Sequence, residues 1–423
     1  MLEMSKITLR ALVMRFAESG GLVIGLHNWL TEHKEILGFE CRWTLAMLCF
    51  NDVSNDQEVY EMLIDRSNLF AESFRYLTRA DFGSLYSGKS ISIQFTNEEA
   101  IGPGVRREWL FLVCKEIFTT QNALFITNPN DRRRFYINPA SKVEPKHLDY
   151  FRFCGRVVAL ALMYKVHVGI VLDRVLFMQL AGLDIQLEYI KDTDPTLYHS
   201  CKQILDMDDD LVDSDILGLT FTTEYEEFGS RTVVELRPGG GSLKVDSRNR
   251  LDYVNALIRS RFCDCTCSQV AHFAKGFEDI MPSPEYMLFF FRCLKLEDLD
   301  QMLRGSESDL FVEDWKSHTD CIGYTDEDPQ IIWFWKIVDE MDPEQQRHLL
   351  FFWTAVKYLS FEGFSGLSSR LEIHRASTTM DHLPTSHTCF NRICLPEYPT
   401  YEMMQRRVAI IIQEHVVNSF GNV

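Results

Sequence analysis

The stretch His147 to Lys165 is apolar on most sides of a helix, so it has no face to give to water and must be enclosed by other elements. Its most apolar run, Val157 to Tyr164, is closed off by Arg156 and Lys165, far short of the roughly 20 residues a membrane-spanning helix needs. A buried central helix follows, and no membrane partner is expected. With 423 residues the chain is too long for one core, and domains of roughly 150 residues imply two to four of them. Its 46% hydrophobic and 25% charged residues suit buried cores and not a disordered chain.

Periodicity gives the organisation. Residues 1 to 60 read as a helical extension: Leu9, Leu12, Val13 and Phe16 fall at helical spacing, and Trp43 to Phe50 forms a second apolar block. At Ser90 the pattern changes to alternation, Ile91, Ile93 and Phe95, which predicts a strand. Gly102, Pro103 and Gly104 then open a helix with Trp109, Leu110, Val113, Cys114, Ile117 and Phe118 on one face. Short strands are predicted at 219–223, 232–236 and 243–245, the last two joined by a turn of Pro238 and Gly239 to Gly241. A helix from Asn249 to Phe277 follows, and helices resume after Pro284. The periodic segments stop at Cys321 to Thr325, the expected boundary between domains, and the remainder should be a small α/β unit mixing two helices with short strands.

Several classes are excluded. A net charge of −18 repels a phosphate backbone, which argues against nucleic acid and against anionic membrane surfaces. Lys6, Arg10 and Arg15 interrupt any secretory h-region, so a cytoplasmic or nuclear setting is expected, where the 12 cysteines stay thiols. Cys263, Cys265 and Cys267 are spaced one apart with His272 beyond, whereas structural zinc wants pairs two to four apart; they read as thiols on a helix, with no metal. Gly83 to Ser90 matches the P-loop pattern at every fixed position. A P-loop leaves a strand and enters a helix, however, and here the helix-like Leu69 to Leu77 precedes it and the Ile91 strand follows, so no nucleotide cofactor is expected.

The segment Leu383 to Asn391 puts Cys389 directly after His387 and Thr388, in a polar stretch between a turn and the short strand Arg392 to Leu395. A thiol in polar, partly exposed surroundings near an imidazole can reach the thiolate state a nucleophile needs. The competing reading is a small buried hydrophobe beside an incidental histidine, which fits Cys394 better.

On a wider set of marks the sequence resembles the HECT-type E3 ubiquitin ligases from about Met62 to Val423. These marks are Ile64-Asp65-Arg66-Ser67, Gly104-Val105-Arg106-Arg107-Glu108-Trp109, Tyr136-Ile137-Asn138-Pro139, Gly155-Arg156, Ala274-Lys275-Gly276-Phe277, Asp314-Trp315, Gly323-Tyr324, Ile332-Trp333-Phe334-Trp335, and Leu383 to Asn391 with Leu395-Pro396-Glu397-Tyr398. The ending, Gln413-Glu414-His415 with Ser419-Phe420-Gly421, is most similar to a plant subgroup whose longer members carry a ubiquitin-like domain, which residues 1 to 60 do not resemble.

The resemblance implies an α+β, bilobal fold: a mainly helical N-lobe with β-hairpins over 61–320, an E2-binding subdomain at about 189–315, a hinge at 321–325 with Gly323 and Tyr324, and a small α/β C-lobe over 326–423. It implies that Cys389 accepts ubiquitin from a charged E2 enzyme as a thioester and passes it to a lysine of a protein substrate. Thioester exchange is nearly neutral in energy and needs no metal or nucleotide. His387 and Thr388 would support the nucleophile or the acyl oxygen. Phe420, fourth from the end of the sequence, would act in the later transfer. Leu197, Cys201, Ile204, Met207, Leu219, Tyr253 and Leu257 correspond to the E2 groove, and Leu197, Cys201 and Ile204 do recur at the spacing of one helix face, as a core helix also would. At Ala355-Val356-Lys357 relatives often have Gly followed by Thr or Ser, so altered loop geometry is expected there. Two other readings remain open: a cysteine hydrolase using Cys389 with His387 or His415, and a non-catalytic adaptor that binds E2 or ubiquitin.

Overall fold

The structure, a computed structural model, describes residues 29–50, 59–80, 90–214, 218–227, 230–376 and 381–413. Helix α1 (Phe39–Met47) buries Cys41, Leu45 and Ala46. Strand β1 (Val59–Ile64) pairs in parallel with β2 (Ser90–Phe95), and α2 (Leu69–Arg79) lies between them in sequence. Helix α2 ends at Arg79 and β2 begins at Ser90, and residues 81–89, with most of the Gly83 to Ser90 motif, lie outside the described set. In β2 the alternation expected from the sequence holds, with Ile91, Ile93 and Phe95 buried. The helical reading of residues 1 to 60 is corrected at its end, where Val59 begins a strand. Leu9 to Phe16 lie outside the described residues.

The core is built on α3 (Pro103–Ile117) and α4 (His147–Met163), the enclosed helix expected from its apolar surface. Strands β3 (Phe125–Thr127), β4 (Arg134–Ile137) and β5 (Val171–Leu172) form a small sheet, followed by α5 (Arg174–Leu180) and α6 (Pro195–Asp206). The hairpin of β6 (Thr222–Glu227) and β7 (Ser230–Glu235) begins about three residues later than the sequence pattern puts it. The single helix expected over Asn249 to Phe277 is two, α7 (Arg250–Arg259) and α8 (Cys267–Glu278), separated by a π-turn at Ser260–Asp264. Inserting that wider turn rotates the apolar face, so Tyr253, Val254, Ile258 and Phe262 serve one cluster while Phe273 and Phe277 serve another. Helices α4 and α8 meet backbone to backbone: a Cβ on Gly155 would lie 2.0 Å from the Phe273 carbonyl oxygen, and one on Gly276 would lie 1.8 Å from that of Arg152. Helices α9 (Pro284–Cys293) and α10 (Leu296–Arg304) complete the first unit. Helix α1 belongs to it too, because Leu30, Leu37, Cys41, Leu45 and Phe50 share its core and Arg42 makes a buried bidentate pair with Asp298, 2.6 and 2.8 Å. The described part of the N-terminal extension is therefore no separate domain.

A second core gathers α11 (Val312–Ser317), α12 (Pro329–Asp339), α13 (Pro343–Thr354) and α14 (Tyr401–Ile411) around a sheet ordered β10-β11-β9-β8. Its strands are β8 (Thr319–Ile322), β9 (Leu371–Arg375), β10 (Thr385–His387) and β11 (Arg392–Leu395). Among the described residues beyond 325 there are three α-helices where two were expected; α13 opens separately, with an Asp342–Gln345 capping box and Pro343.

The expected boundary at 321–325 is corrected. Cys321 and Ile322 are paired with β9, Gly323 makes the turn that follows, and Tyr324 is buried with its hydroxyl donating to Leu395 O at 3.0 Å. These residues are locked inside the second unit, as are Val312 and Trp315. The chain leaves the first core after Leu303 and joins the second at Leu310. A third, smaller cluster joins Val175 on α5 to residues 185–262, so the subdomain is narrower than the expected 189–315.

Candidate active site

Strands β10 and β11 run antiparallel, with Ser386 opposite Ile393 and His387 opposite Arg392, and the chain reverses between them through Thr388, Cys389, Phe390 and Asn391. Asn391 makes the reversal in the left-handed region at φ 49°, a conformation asparagine tolerates better than most residues. Its side-chain amide donates to Ser369 O at 3.0 Å, and its carbonyl accepts from Trp353 Nε1 at 2.7 Å and from the Glu372 amide at 2.9 Å. The back of the loop is thus pinned to the core. Cys389 is left half-buried at its front, and the Phe390 ring is 62% exposed.

The front of the loop meets the first unit at the start of α3. Gly102, at φ 115°, is the N-cap and Pro103 the first helical residue. The Gly104 amide donates to Cys389 Sγ at 3.4 Å, and the thiol donates to Ile101 O at 3.5 Å. Unpaired amides at a helix N-terminus favour negative charge close by. Arg107, one turn along, donates to Thr354 O at 2.8 Å and Thr388 O at 2.7 Å. Arg106 donates to Ile91 O at 3.1 Å and lies 3.9 Å over the Tyr164 ring. Burial pushes both guanidiniums down from their ordinary value, and the nearby Cys389 sulfur opposes that shift. Among other thiols, burial pushes Cys201 and Cys321 up to about 11, and it raises Cys49, Cys114, Cys154, Cys263, Cys265, Cys293 and Cys394 as well. Those sulfurs are disfavoured as nucleophiles.

His387 is exposed, and the hydrogen bonds of Sγ go to the backbone of residues 101 and 104. Thr388 is half-buried with its hydroxyl against Gly104. His415 and Phe420 lie outside the described residues. Of the groove candidates, Leu197 and Ile204 on α6, Leu219, and Leu257 on α7 are half-buried on the third cluster, whereas Cys201 is fully buried in it and Tyr253 nearly so. Met207, half-buried at the end of α6, is not part of that cluster. The structure therefore gathers most of these residues, with Cys201 and Tyr253 supporting a surface from beneath. Ala355, in the segment where relatives have glycine, takes the left-handed conformation itself at φ 57°, with its amide donating to Phe351 O at 2.7 Å.

Residues 111–423 match the HECT-domain (ubiquitin-transferase) family. The chain belongs to that family. The HECT chain is 52% identical over 423 residues to the E3 ubiquitin-protein ligase UPL5 of Arabidopsis thaliana, covering 100% of this chain and 48% of the relative. It is 32% identical over 359 residues to the E3 ubiquitin-protein ligase RSP5 of Saccharomyces cerevisiae, covering 84% of this chain and 43% of that one. Over 405 residues it is 30% identical to the E3 ubiquitin-protein ligase ptr1 of Schizosaccharomyces pombe, covering 93% of this chain and 12% of the relative. The chain spans less than half the length of each of these relatives.

Four residues at this site, Gly104, Arg107, Trp353 and Asn391, carry no role in the sequence reading. Arg107 and Gly104 are visible there only as family marks, because a helix-opening glycine and an arginine one turn on fit any surface helix. Asn391 and Trp353 hold the cysteine loop although 38 residues separate them. The one available signal is Asn391 itself, a residue prone to left-handed turns placed between two short strands. No helix among the described residues is long and apolar enough to cross a membrane.

Proposed function

We propose that this chain is the catalytic region of a ubiquitin ligase working by covalent relay. The Cys389 thiolate attacks the thioester carbonyl of an E2-bound ubiquitin, the E2 sulfur leaves with the bonding pair, and ubiquitin is carried on Cys389. A substrate lysine amine then attacks the same carbon, forming an isopeptide bond and returning the thiolate. One thioester replaces another, so the first step needs no external energy. The observation that carries the reading is a half-exposed cysteine on a loop braced by Asn391 and Trp353, with its sulfur at backbone donors, in a chain of this family.

E2 would dock on the third cluster through Leu197, Ile204, Leu219 and Leu257, with Met207 at the edge and Cys201 and Tyr253 beneath. The two units would move about residues 304–309, the segment between their cores. His387 and Thr388 flank the nucleophile, and Phe420 would act in the transfer to substrate. The cellular setting would be the cytoplasm or nucleus.

Incubating the chain with E1, E2, ubiquitin and ATP and running non-reducing gels tests the relay. A thiol-sensitive adduct that vanishes in Cys389→Ala, and that becomes reductant-resistant in Cys389→Ser, is the expected result. Absence of an adduct with active E2 enzymes refutes the relay. Non-covalent E2 binding without an adduct would favour the adaptor, and release of free ubiquitin without transfer to amines would favour the hydrolase.

A further inference from the structure

Arg107 binds across the two units, and both of its acceptors matter. One, Thr388 O, belongs to the residue immediately before Cys389. The other, Thr354 O, lies at the end of α13 beside Trp353, the residue that braces the same loop from behind. The turn that precedes Arg107 fits the loop to within less than a methyl group: a Cβ on Gly104 would lie 2.0 Å from Thr388 Oγ1 and 2.9 Å from the Cys389 amide nitrogen. A Cβ on Gly102 would lie 3.1 Å from Cys389 Sγ. Phe111, one turn further along α3 than Arg107, packs on Phe351 of α13 at 4.9 Å between ring centroids, so the contact extends into an apolar seam.

We infer that this docked arrangement serves the second half of the relay: Arg107 is a positioning residue that holds the Cys389 loop against Gly104 while ubiquitin is discharged to an amine, and it is not needed for loading from E2. The inference rests on the ligase reading above. The two half-reactions make opposite demands on the sulfur. In loading, Sγ donates its electron pair, and an N–H aimed at it weakens it as a nucleophile. In discharge, the amine nitrogen forms the new bond to the acyl carbon, the C–S pair collapses onto Sγ, and the amine proton passes to water. Sγ is then the leaving group, and a donor that stabilises its charge speeds departure. The Gly104 amide at the positive end of a 15-residue helix and the Arg107 cation beside it supply that stabilisation only while the units are docked. Sγ is also closed on the Ile101–Gly104 side, whereas loading requires a second enzyme's sulfur to approach the same carbon.

The test separates the two steps. The 423-residue chain is loaded from charged E2 in a pulse, further E1 activity is stopped, and free lysine is added while the thioester adduct is followed on non-reducing gels. Arg107→Ala is expected to load within about twofold of wild type and to discharge roughly tenfold or more slowly, tenfold being the rate equivalent of about 1.4 kcal/mol. Arg107→Lys, a point charge that cannot bridge two carbonyls with a planar fork, is expected to discharge at an intermediate rate. Unchanged discharge in Arg107→Ala overturns the inference. So does an equal fall in loading and discharge, the mark of a purely structural role, with thermal melting reporting whether each variant is folded. A wild-type chain that takes no ubiquitin overturns the ligase reading, and this inference with it.

Discussion

Replacing Gly155 with alanine pits two effects of opposite sign against each other. Alanine is favoured over glycine in a helix interior by about 0.8–1.0 kcal/mol, so propensity alone predicts a more stable protein. The new methyl, however, would stand 2.0 Å from the Phe273 carbonyl oxygen on α8, where a carbon–oxygen contact needs about 3.3 Å. The obstacle is backbone within a helix, so no side chain can rotate away, and α4 and α8 must part by about 1.3 Å along a face that carries Phe273 and Phe277. Overpacking of this kind costs about 1–3 kcal/mol, and backbone against backbone puts it near the upper end, leaving a net loss of about 2 kcal/mol. For a unit of this size that lowers the melting temperature by roughly 4–8 °C. Gly276→Ala, which would bring a methyl to 1.8 Å from Arg152 O, should do the same. The double variant should lose less than the sum, since the first substitution opens the gap the second requires. Thermal unfolding followed by circular dichroism measures all three. A Gly155→Ala protein that melts at or above the wild-type temperature refutes the close-contact argument, and strict additivity refutes the shared gap.

Glu108 shares the single guanidinium of Arg66 with Glu98, and burial, then the second carboxylate, pushes it up to about 7 from an ordinary 4.5. The folded state then binds this proton more tightly than the unfolded chain, so the stability it contributes is complete below pH 4.5 and is lost as the pH rises through about 7. Denaturant titrations of Glu108→Gln should lack that decline, and an unchanged pH profile would dismiss it. Leu197→Ala and Ile204→Ala should slow ubiquitin loading while keeping the melting temperature within a few degrees, whereas Tyr253→Ala, in the core, should cost about 3–5 kcal/mol of stability. Equal loss of stability in all three would make the first two core residues. Ala355→Gly should raise stability by up to about 1 kcal/mol, because alanine at φ 57° carries roughly 1–2 kcal/mol of strain that glycine relieves at some entropic cost. A melting temperature that falls would show that the buried methyl outweighs the strain.

How far the sequence could be read follows the range of the interactions. Helix α4 was legible because a surface apolar on most sides must be enclosed, and β2 because its alternation is local. Strand β1 was missed: only Met62 and Ile64 are buried and its partner is about 30 residues on, so no neighbouring residue betrays it. The break between α7 and α8 was missed because each half is a regular helix and only the tertiary clusters call for a change of face. The hinge was misplaced because loss of periodicity after residue 320 looks like a linker, whereas Cys321 and Ile322 draw their hydrogen bonds from a strand about 50 residues later.

The sequence by itself determined the class of fold, the membership of a family and the cysteine in question, since motifs and hydrophobic periods are properties of neighbours along the chain. It singled out Cys389 among 12 cysteines before any contact was known. Only the tertiary structure decided where the two units divide, which groove candidates lie beneath a surface and which on it, and what stands opposite the sulfur. Each depends on groups brought together from afar: Tyr324 on Leu395, Cys201 within the third cluster, and the Gly104 amide and Arg107 at a cysteine loop about 280 residues away. Hydrogen bonds and packing of that range leave no period in the sequence, because the energy that fixes them is realised only when the chain has closed on itself.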